Sequence, residues 1–188
     1  MNIIVKTAQG RIIVRPDTTW EKDNADFFPP DFVEQLTFSP VLFARILKPG
    51  RSVSLKFASR YYDAVNFGVL LYPENLIDGA PESFATASCL DHTSFLPVPM
   101  YNPVTLGVEG NSFILKHDGK TVFEYGSASR SAIEEAIAEA TKMVYIRTGD
   151  LIAIELDGRK MLCERSVGRT RVTGSWCSNP ILDFNIVF

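Results

Sequence analysis

Glu155 and Asp157, at the end of the run Leu151-Ile-Ala-Ile-Glu-Leu156, are the carboxylates best spaced for joint chemistry. Residues two apart on a strand point the same way, so the two acids share a face if the strand continues to Asp157. Glu74, just after Pro73, is the acid that could join them and complete an acid–base or cation-holding group. Charged residues at a strand end are more often a solvated edge. Cys89-Leu-Asp-His-Thr93 sets a thiol, a carboxylate and an imidazole close together, which suits a metal or a thiol nucleophile. The chain's other histidine, His117, lies far along the sequence, and the spacing matches no metal motif. His117 itself precedes a turn and is expected at the surface. Arg165, Arg169 and Arg171 are candidates for an anion site, although arginines beside glycines usually mark solvated loops. Gly168 and Gly174 make no phosphate loop, because neither sits between a strand and a helix. Arg60-Tyr-Tyr-Asp63 looks site-like, and the simpler expectation is packed rings with satisfied hydroxyls.

Positioning these groups falls to a β-rich chain. Ile3–Val5 and Arg11–Arg15 predict two strands joined at Gln9-Gly10. Leu36–Leu47 predicts a strand with Pro40 at an edge or bulge, and Lys48-Pro-Gly50 a turn. Val53, Phe57, Tyr61 and Ala64 recur at helical spacing, with Ser52 or Ser54 as the cap. From Val65 a short apolar run to Tyr72 predicts a buried strand, with Gly68 where another backbone comes close or the strand bends. Residues 78–103 are rich in Gly and Pro and predict loop, with one short strand near Phe84–Cys89. Asp118-Gly119 is the strongest hairpin signal in the chain. Ser131-Ala-Ile-Glu134 reads as a capping box opening a helix whose stripe is Ile133, Ile137 and Ala140, extended by Met143 and Val144. Short strands then run to Phe188.

With 188 residues, 46% of them hydrophobic, the chain can bury roughly 70% of its unfolded surface as one domain spanning residues 1–188. A net charge of −3 with no basic stripe speaks against nucleic-acid binding. No apolar run is long enough for a membrane helix. Three cysteines, odd in number and without metal spacing, fit a reduced, cytoplasmic chain.

Three blocks resemble the catalytic domain of the fumarylacetoacetate hydrolase family. The first runs from Arg15-Pro-Asp-Thr through Phe28-Pro-Pro-Asp-Phe32 and Arg45-Ile to Leu76. The second is Asn102-Pro-Val-Thr-Leu-Gly107, and the third spans Asp118-Gly-Lys-Thr-Val122 to Thr148-Gly-Asp-Leu-Ile152, resuming at Asn179-Pro-Ile-Leu-Asp-Phe184. The resemblance implies an α+β, β-rich fold: a mixed β-roll or sandwich with two main helices packed on the sheet. It also implies Mg²⁺- or Mn²⁺-assisted chemistry on keto and diketo acids, the cation held by an E-x-E pair and an aspartate. Placed on that pattern, the E-x-E positions are Ser39 and Val41, the aspartate is Leu70, and the family's lysine falls near Val98. The family's T-G-T-P loop becomes Ile154-Glu-Leu-Asp157, and the N-terminal segment is shortened to Met1–Val14, without histidine. The expectation is a member of the family without its metal, a binding or interaction protein taking a small molecule or a partner. That partner would be a second copy or a catalytically active relative. The alternative is a hydrolase or isomerase with a site rebuilt around Glu74, Glu155 and Asp157 or around His92.

Overall fold

The computed structural model describes residues 1–126 and 128–188. Its strands are β1 (Asn2–Lys6), β2 (Ile12–Pro16), β3 (Trp20–Glu21), β4 (Gln35–Ile46), β5 (Tyr62–Pro73) and β6 (Ser94–Phe95), then β7 (Phe113–His117), β8 (Lys120–Tyr125), β9 (Leu151–Glu155), β10 (Lys160–Glu164), β11 (Arg169–Trp176) and β12 (Asn179–Val187). The helices are α1 (Leu55–Ala58), α2 (Pro81–Ala87) and α3 (Arg130–Ala140). A large mixed sheet has the order β2-β1-β9-β4-β5-β6-β3, with β10 also paired to β4. A second sheet is ordered β12-β11-β7-β8. The α+β, β-rich architecture read from the sequence is the one observed.

Strand alternation sorts the large sheet into two faces. Phe38, Leu42 and Ala44 of β4 and Val65, Phe67 and Val69 of β5 pack with Phe113, Trp176 and Phe184 of the second sheet and Ile133 and Ile137 of α3. The opposite face carries Ile3, Val5, Val41, Phe43, Leu70, Tyr72, Leu151 and Ala153 as a separate apolar core. Arg15 of β2 crosses to β5 and the segment that follows it: Nε donates to the Ser88 carbonyl at 2.8 Å, and Nη2 to the Leu71 carbonyl at 3.1 Å and Thr93 Oγ1 at 2.7 Å. The sheet is therefore curled, since β2 and β5 are not neighbours along it.

Several local expectations change. The helix expected over Val53–Ala64 is only the four residues of α1, with no side-chain cap bond from Ser54. The strand starts at Tyr62, because β5 pairs with β4 from Tyr62↔Ile46 to Pro73↔Leu36, and that ladder overrides a weak helical period. The strand expected near Phe84–Cys89 is α2 with its following turn, opened by Pro81 at the first helical position. Pro40 is inside the sheet, paired to Val69, rather than at an edge. Its carbonyl accepts from Leu156 where β9 gives way to β10, so its missing N–H falls at the seam between two neighbours. Ser129, not Ser131, caps α3, accepting from the Ser131 N–H. Ile133, Ile137 and Ala140 are buried as expected, whereas Met143 is exposed.

Other expectations hold. Asp118 and Gly119 both have positive φ (46° and 79°) in the β7–β8 turn, as a tight hairpin needs. Gly68 lies where a Cβ would sit 2.3 Å from the Phe95 carbonyl oxygen, the close backbone approach read from the sequence.

Candidate functional site

Ser39, Val41 and Leu70 come together on the inner face of the curled sheet. Ser39 pairs with Leu70, and Val41 lies between Gly68 on β5 and Glu155 on β9. All three are fully buried, and Leu96, Trp20, Ile77, Phe84 and Met100 pack on the apolar core around them. The segment after β5 thus closes over this face, with Phe84 of α2 stacked on Tyr72 at 5.5 Å between centroids. The Ser39 hydroxyl has no partner among the described residues. Val98 does not join them. It is 45% exposed, on a cavity of about 330 Å³ shared with Trp20, Arg45, Met100 and Leu151. Asn66 fixes that loop by donating to the carbonyls of Pro97 (3.2 Å) and Pro99 (3.1 Å).

Of the three carboxylates read from the sequence, two lie near this face and one leaves it. Glu155 is buried; Oε1 accepts from the Tyr72 hydroxyl at 2.7 Å and Oε2 from the Ala8 N–H at 2.9 Å. Glu74 accepts from Thr37 Oγ1 at 2.8 Å and pairs with Arg159 at 3.4 Å, and the Arg159 guanidinium also lies over the Tyr72 ring. Asp157 does not share Glu155's surroundings, because β9 ends at Glu155 and the alternation stops there. It pairs with Lys160 at 2.7 Å, and that contact holds its carboxyl below the usual range.

The centre of the cluster was not singled out in the sequence. Arg15 is fully buried, its guanidinium 4.9 Å from the Tyr72 ring centroid, and its Nη1 has no partner among the described residues. Burial lowers the Arg15 pKa, while Tyr72 and Glu155 oppose that shift by favouring the cation. The available signal was a charged residue at an inward position of a short apolar strand, and inward charges need partners.

Burial also raises the Tyr72 hydroxyl well above its ordinary range and pushes Tyr62 up to about 12. An unfolded tyrosine ionises near 10.0, so above that pH the unfolded chain sheds protons that the folded chain keeps. The stability these two tyrosines contribute is fully present below pH 10 and is expected to be lost as pH rises beyond it. Urea unfolding at pH 8 and at about pH 11 checks this, and Tyr62→Phe with Tyr72→Phe should flatten the difference.

The remaining candidates have structural partners. His92 is mostly exposed with Nδ1 3.3 Å from Glu21, and Cys89 is exposed. His117 is 3.2 Å from Asp118 in the β7–β8 turn. Arg165 ties down the loop before β4 through the carbonyls of Pro30 and Val33. Arg171 holds Asp183 with two bonds, and Arg169 reaches Asn185. Asp63 is held by Arg45 through two bonds, while Arg60 lies over Phe57. Among the described residues no three His, Cys, Asp or Glu side chains are grouped to hold a metal ion, and no helix is long and apolar enough to cross a membrane.

No family model matches the sequence, and no curated protein matches it. Solved structures do match. The chain superimposes on fumarylpyruvate hydrolase from Pseudomonas aeruginosa, solved with Mn²⁺ and pyruvate, at a TM-score of 0.81 and 15% identity, covering 100% of this chain and 90% of that one. A Yersinia pestis protein assigned to the fumarylacetoacetate hydrolase family gives 0.81 at 12% identity, covering 99% and 92%. The 5-carboxymethyl-2-hydroxymuconate delta-isomerase of Mycobacterium smegmatis gives 0.77 at 13% identity, covering 99% and 78%. At such identities the likeness is one of architecture, and on that ground the chain has the fold of the fumarylacetoacetate hydrolase family.

Proposed function

We propose that the protein is a non-metal binding or interaction protein built on this hydrolase fold. The observation that supports this reading is the environment of Ser39, Val41 and Leu70. Three carboxylates would be needed there to offset the dehydration of a hard cation. The positions offer one hydroxyl and two aliphatic side chains under an apolar cover. The nearby Glu155 has each oxygen engaged by a donor. This donor set does not fit Mg²⁺ or Mn²⁺, and no step is derived through a metal.

Partner binding, to a second copy or to an active relative, is the form the proposal favours. Leu55, Phe57, Met143 and Tyr145 are exposed on or beside α1 and the end of α3, elements in contact with each other. Metal analysis and thermal melts with Mg²⁺ and Mn²⁺ test the proposal. The expected outcome is no bound metal and no saturable rise in Tm. Stoichiometric Mn²⁺ whose stabilisation disappears in Glu155→Gln would overturn it.

The buried Glu155–Tyr72 pair favours one second reading, a hydrolase or isomerase of keto or diketo acids with a rebuilt site. Turnover of an acylpyruvate, followed by loss of its enol absorbance and abolished by Glu155→Gln or Tyr72→Phe, would select that reading instead.

A further inference from the structure

Two segments far apart in sequence build one basic surface. Residues 47–61 carry Lys48, Arg51, Lys56 and Arg60, residues 142–147 carry Lys142 and Arg147, and neither stretch contains an Asp or Glu. Gly50 and Ile146 exchange backbone bonds at 3.0 Å each, and the Ser52 N–H donates to the Thr141 carbonyl at 2.8 Å. The Thr148 hydroxyl donates to the Leu47 carbonyl at 3.2 Å, closing the seam at its other end. Neither segment alone reads as a basic run; the pairing makes the patch.

All six cations are exposed, and none forms a salt bridge among the described residues. The acids that flank the two segments are engaged elsewhere. Asp63 pairs with Arg45 and Glu139 with Lys6, while Asp150 is buried and accepts from the N–H groups of Asn2 and Arg147. The other 13 basic and 22 acidic residues leave the rest of the chain at a net −9, so this face stands out against an acidic body. Among the cations stand Leu55, Phe57, Met143 and Tyr145, with Met143 65% exposed. Apolar side chains ringed by charge match the dry centre and charged rim of a protein interface. Two copies meeting here about a twofold axis would set six cations against six, which is repulsive. Stacked nucleic-acid bases would need free ring faces. Lys48 already lies 4.8 Å from the Tyr61 centroid, and Lys56 and Arg60 lie 5.8 and 5.3 Å from that of Phe57.

We propose that this face binds a partner protein through a surface on which Asp and Glu surround apolar side chains, so the partner is a different protein and not a second copy of this chain. The inference rests on the binding-protein reading above and narrows its partner. It uses none of Ser39, Val41, Leu70 or Glu155, so metal uptake there would overturn the non-metal reading and leave this face unaffected.

The probe is a capped helical peptide with Leu and Phe at i, i+3, i+4 and i+7 and Glu at its polar positions, titrated into the full chain by heteronuclear NMR. The same peptide with Gln, and with Lys, in place of Glu are the controls. Saturable binding of the Glu peptide at a Kd of about 100 μM or tighter in low salt is expected, with shifts confined to residues 47–61 and 142–147 and their neighbours. The Gln peptide should bind at least about tenfold more weakly and the Lys peptide not at all, and raising salt to about 0.3 M should weaken the Glu peptide about tenfold. Lys56→Glu with Arg60→Glu should weaken it about tenfold or more, and Met143→Ser about threefold or more. All three positions are exposed, so the variants should melt as the wild type does. Equal binding of the Glu and Gln peptides, shifts centred elsewhere, or unchanged affinity in both variants would overturn the proposal. So would a dimer in sedimentation that the double charge reversal dissolves, which assigns the face to a second copy. Binding to phosphatidylglycerol-containing vesicles, lost in the double variant while the Glu peptide fails to bind, would overturn it in favour of a membrane surface.

Discussion

Glu155→Leu is expected to lower folding stability by about 2–5 kcal/mol, because it removes the acceptor of two donors and a carboxylate that favours the buried Arg15 guanidinium. Arg15 keeps its bonds to the Ser88 and Leu71 carbonyls and to Thr93, but those acceptors are neutral. Glu155 is the carboxylate that favours the buried guanidinium, and its loss also strips acceptors from the Tyr72 hydroxyl and the Ala8 N–H. Each orphaned donor adds about 1–3 kcal/mol where it stays dry. Arg15→Met should be destabilising alone, since it abandons three buried acceptors. The double variant should then be more stable than the sum of the two losses predicts, by about 1–3 kcal/mol. Urea melts of the wild type, both single variants and the pair give the coupling directly. Strict additivity would show that Arg15 and Glu155 do not sense each other, and the buried cluster would lose its role as a unit. Because Arg15 ties Ser88 and Thr93 to β5, its loss should also loosen the cover over Ser39 and Leu70. Faster amide exchange in residues 88–96 than in α3 would show that loosening.

Features written in short-range chemistry were legible in the sequence, and features made by distant contacts were not. Asp118-Gly119 specifies its turn through two positive φ values, so the hairpin could be read from two residues. Ile133, Ile137 and Ala140 gave the buried face of α3 because a helical period is local. Residues 53–64 also carried a helical period, but the pairing of β5 with β4 takes Tyr62 onward into the sheet. Asp157 looked like Glu155's companion only while the strand was assumed to continue; it ends one residue after Ile154, and Asp157 turns to Lys160. Arg15 and Tyr72 are on strands far apart in sequence, 56 and more residues separating Arg15 from the carbonyls it meets, so no spacing rule joins them. The three positions taken from the family pattern, Ser39, Val41 and Leu70, lie side by side in the β4–β5 ladder, because position in a ladder survives changes of side chain. Val98 lies apart from them, on a loop set by Asn66 that leaves its side chain outside the inner core.

Gly68→Ala should be the most damaging single methyl group in the protein. Gly68 sits opposite Val41 in the ladder, one residue before the short pairing of Val69 and Leu70 with Phe95 and Ser94. The added Cβ would meet the Phe95 carbonyl oxygen at 2.3 Å and Leu96 Cδ2 at 2.9 Å. The leucine tip can swing away, but the carbonyl belongs to β6 and moves only if that strand moves. β6 has two residues, so its hold on β5 is weak while its place is fixed by Phe95 stacking on Phe184. The conflict therefore cannot relax without giving up either the β5–β6 pairing or the stack. A loss of about 3 kcal/mol or more is expected, at or beyond the upper range for overpacking. Gly174→Ala is the internal control: its Cβ meets only side-chain atoms of Leu182, at 3.0 Å and beyond, and rotamer adjustment should keep the cost near 1 kcal/mol. Gly107→Ala, with nothing within 4 Å, should be silent. Chemical melts of the three variants rank them. If Gly68→Ala is no worse than Gly174→Ala, β6 is free to retreat. The cover over Ser39, Val41 and Leu70 would then be a movable lid, and the case for a permanently closed cleft would fail with it.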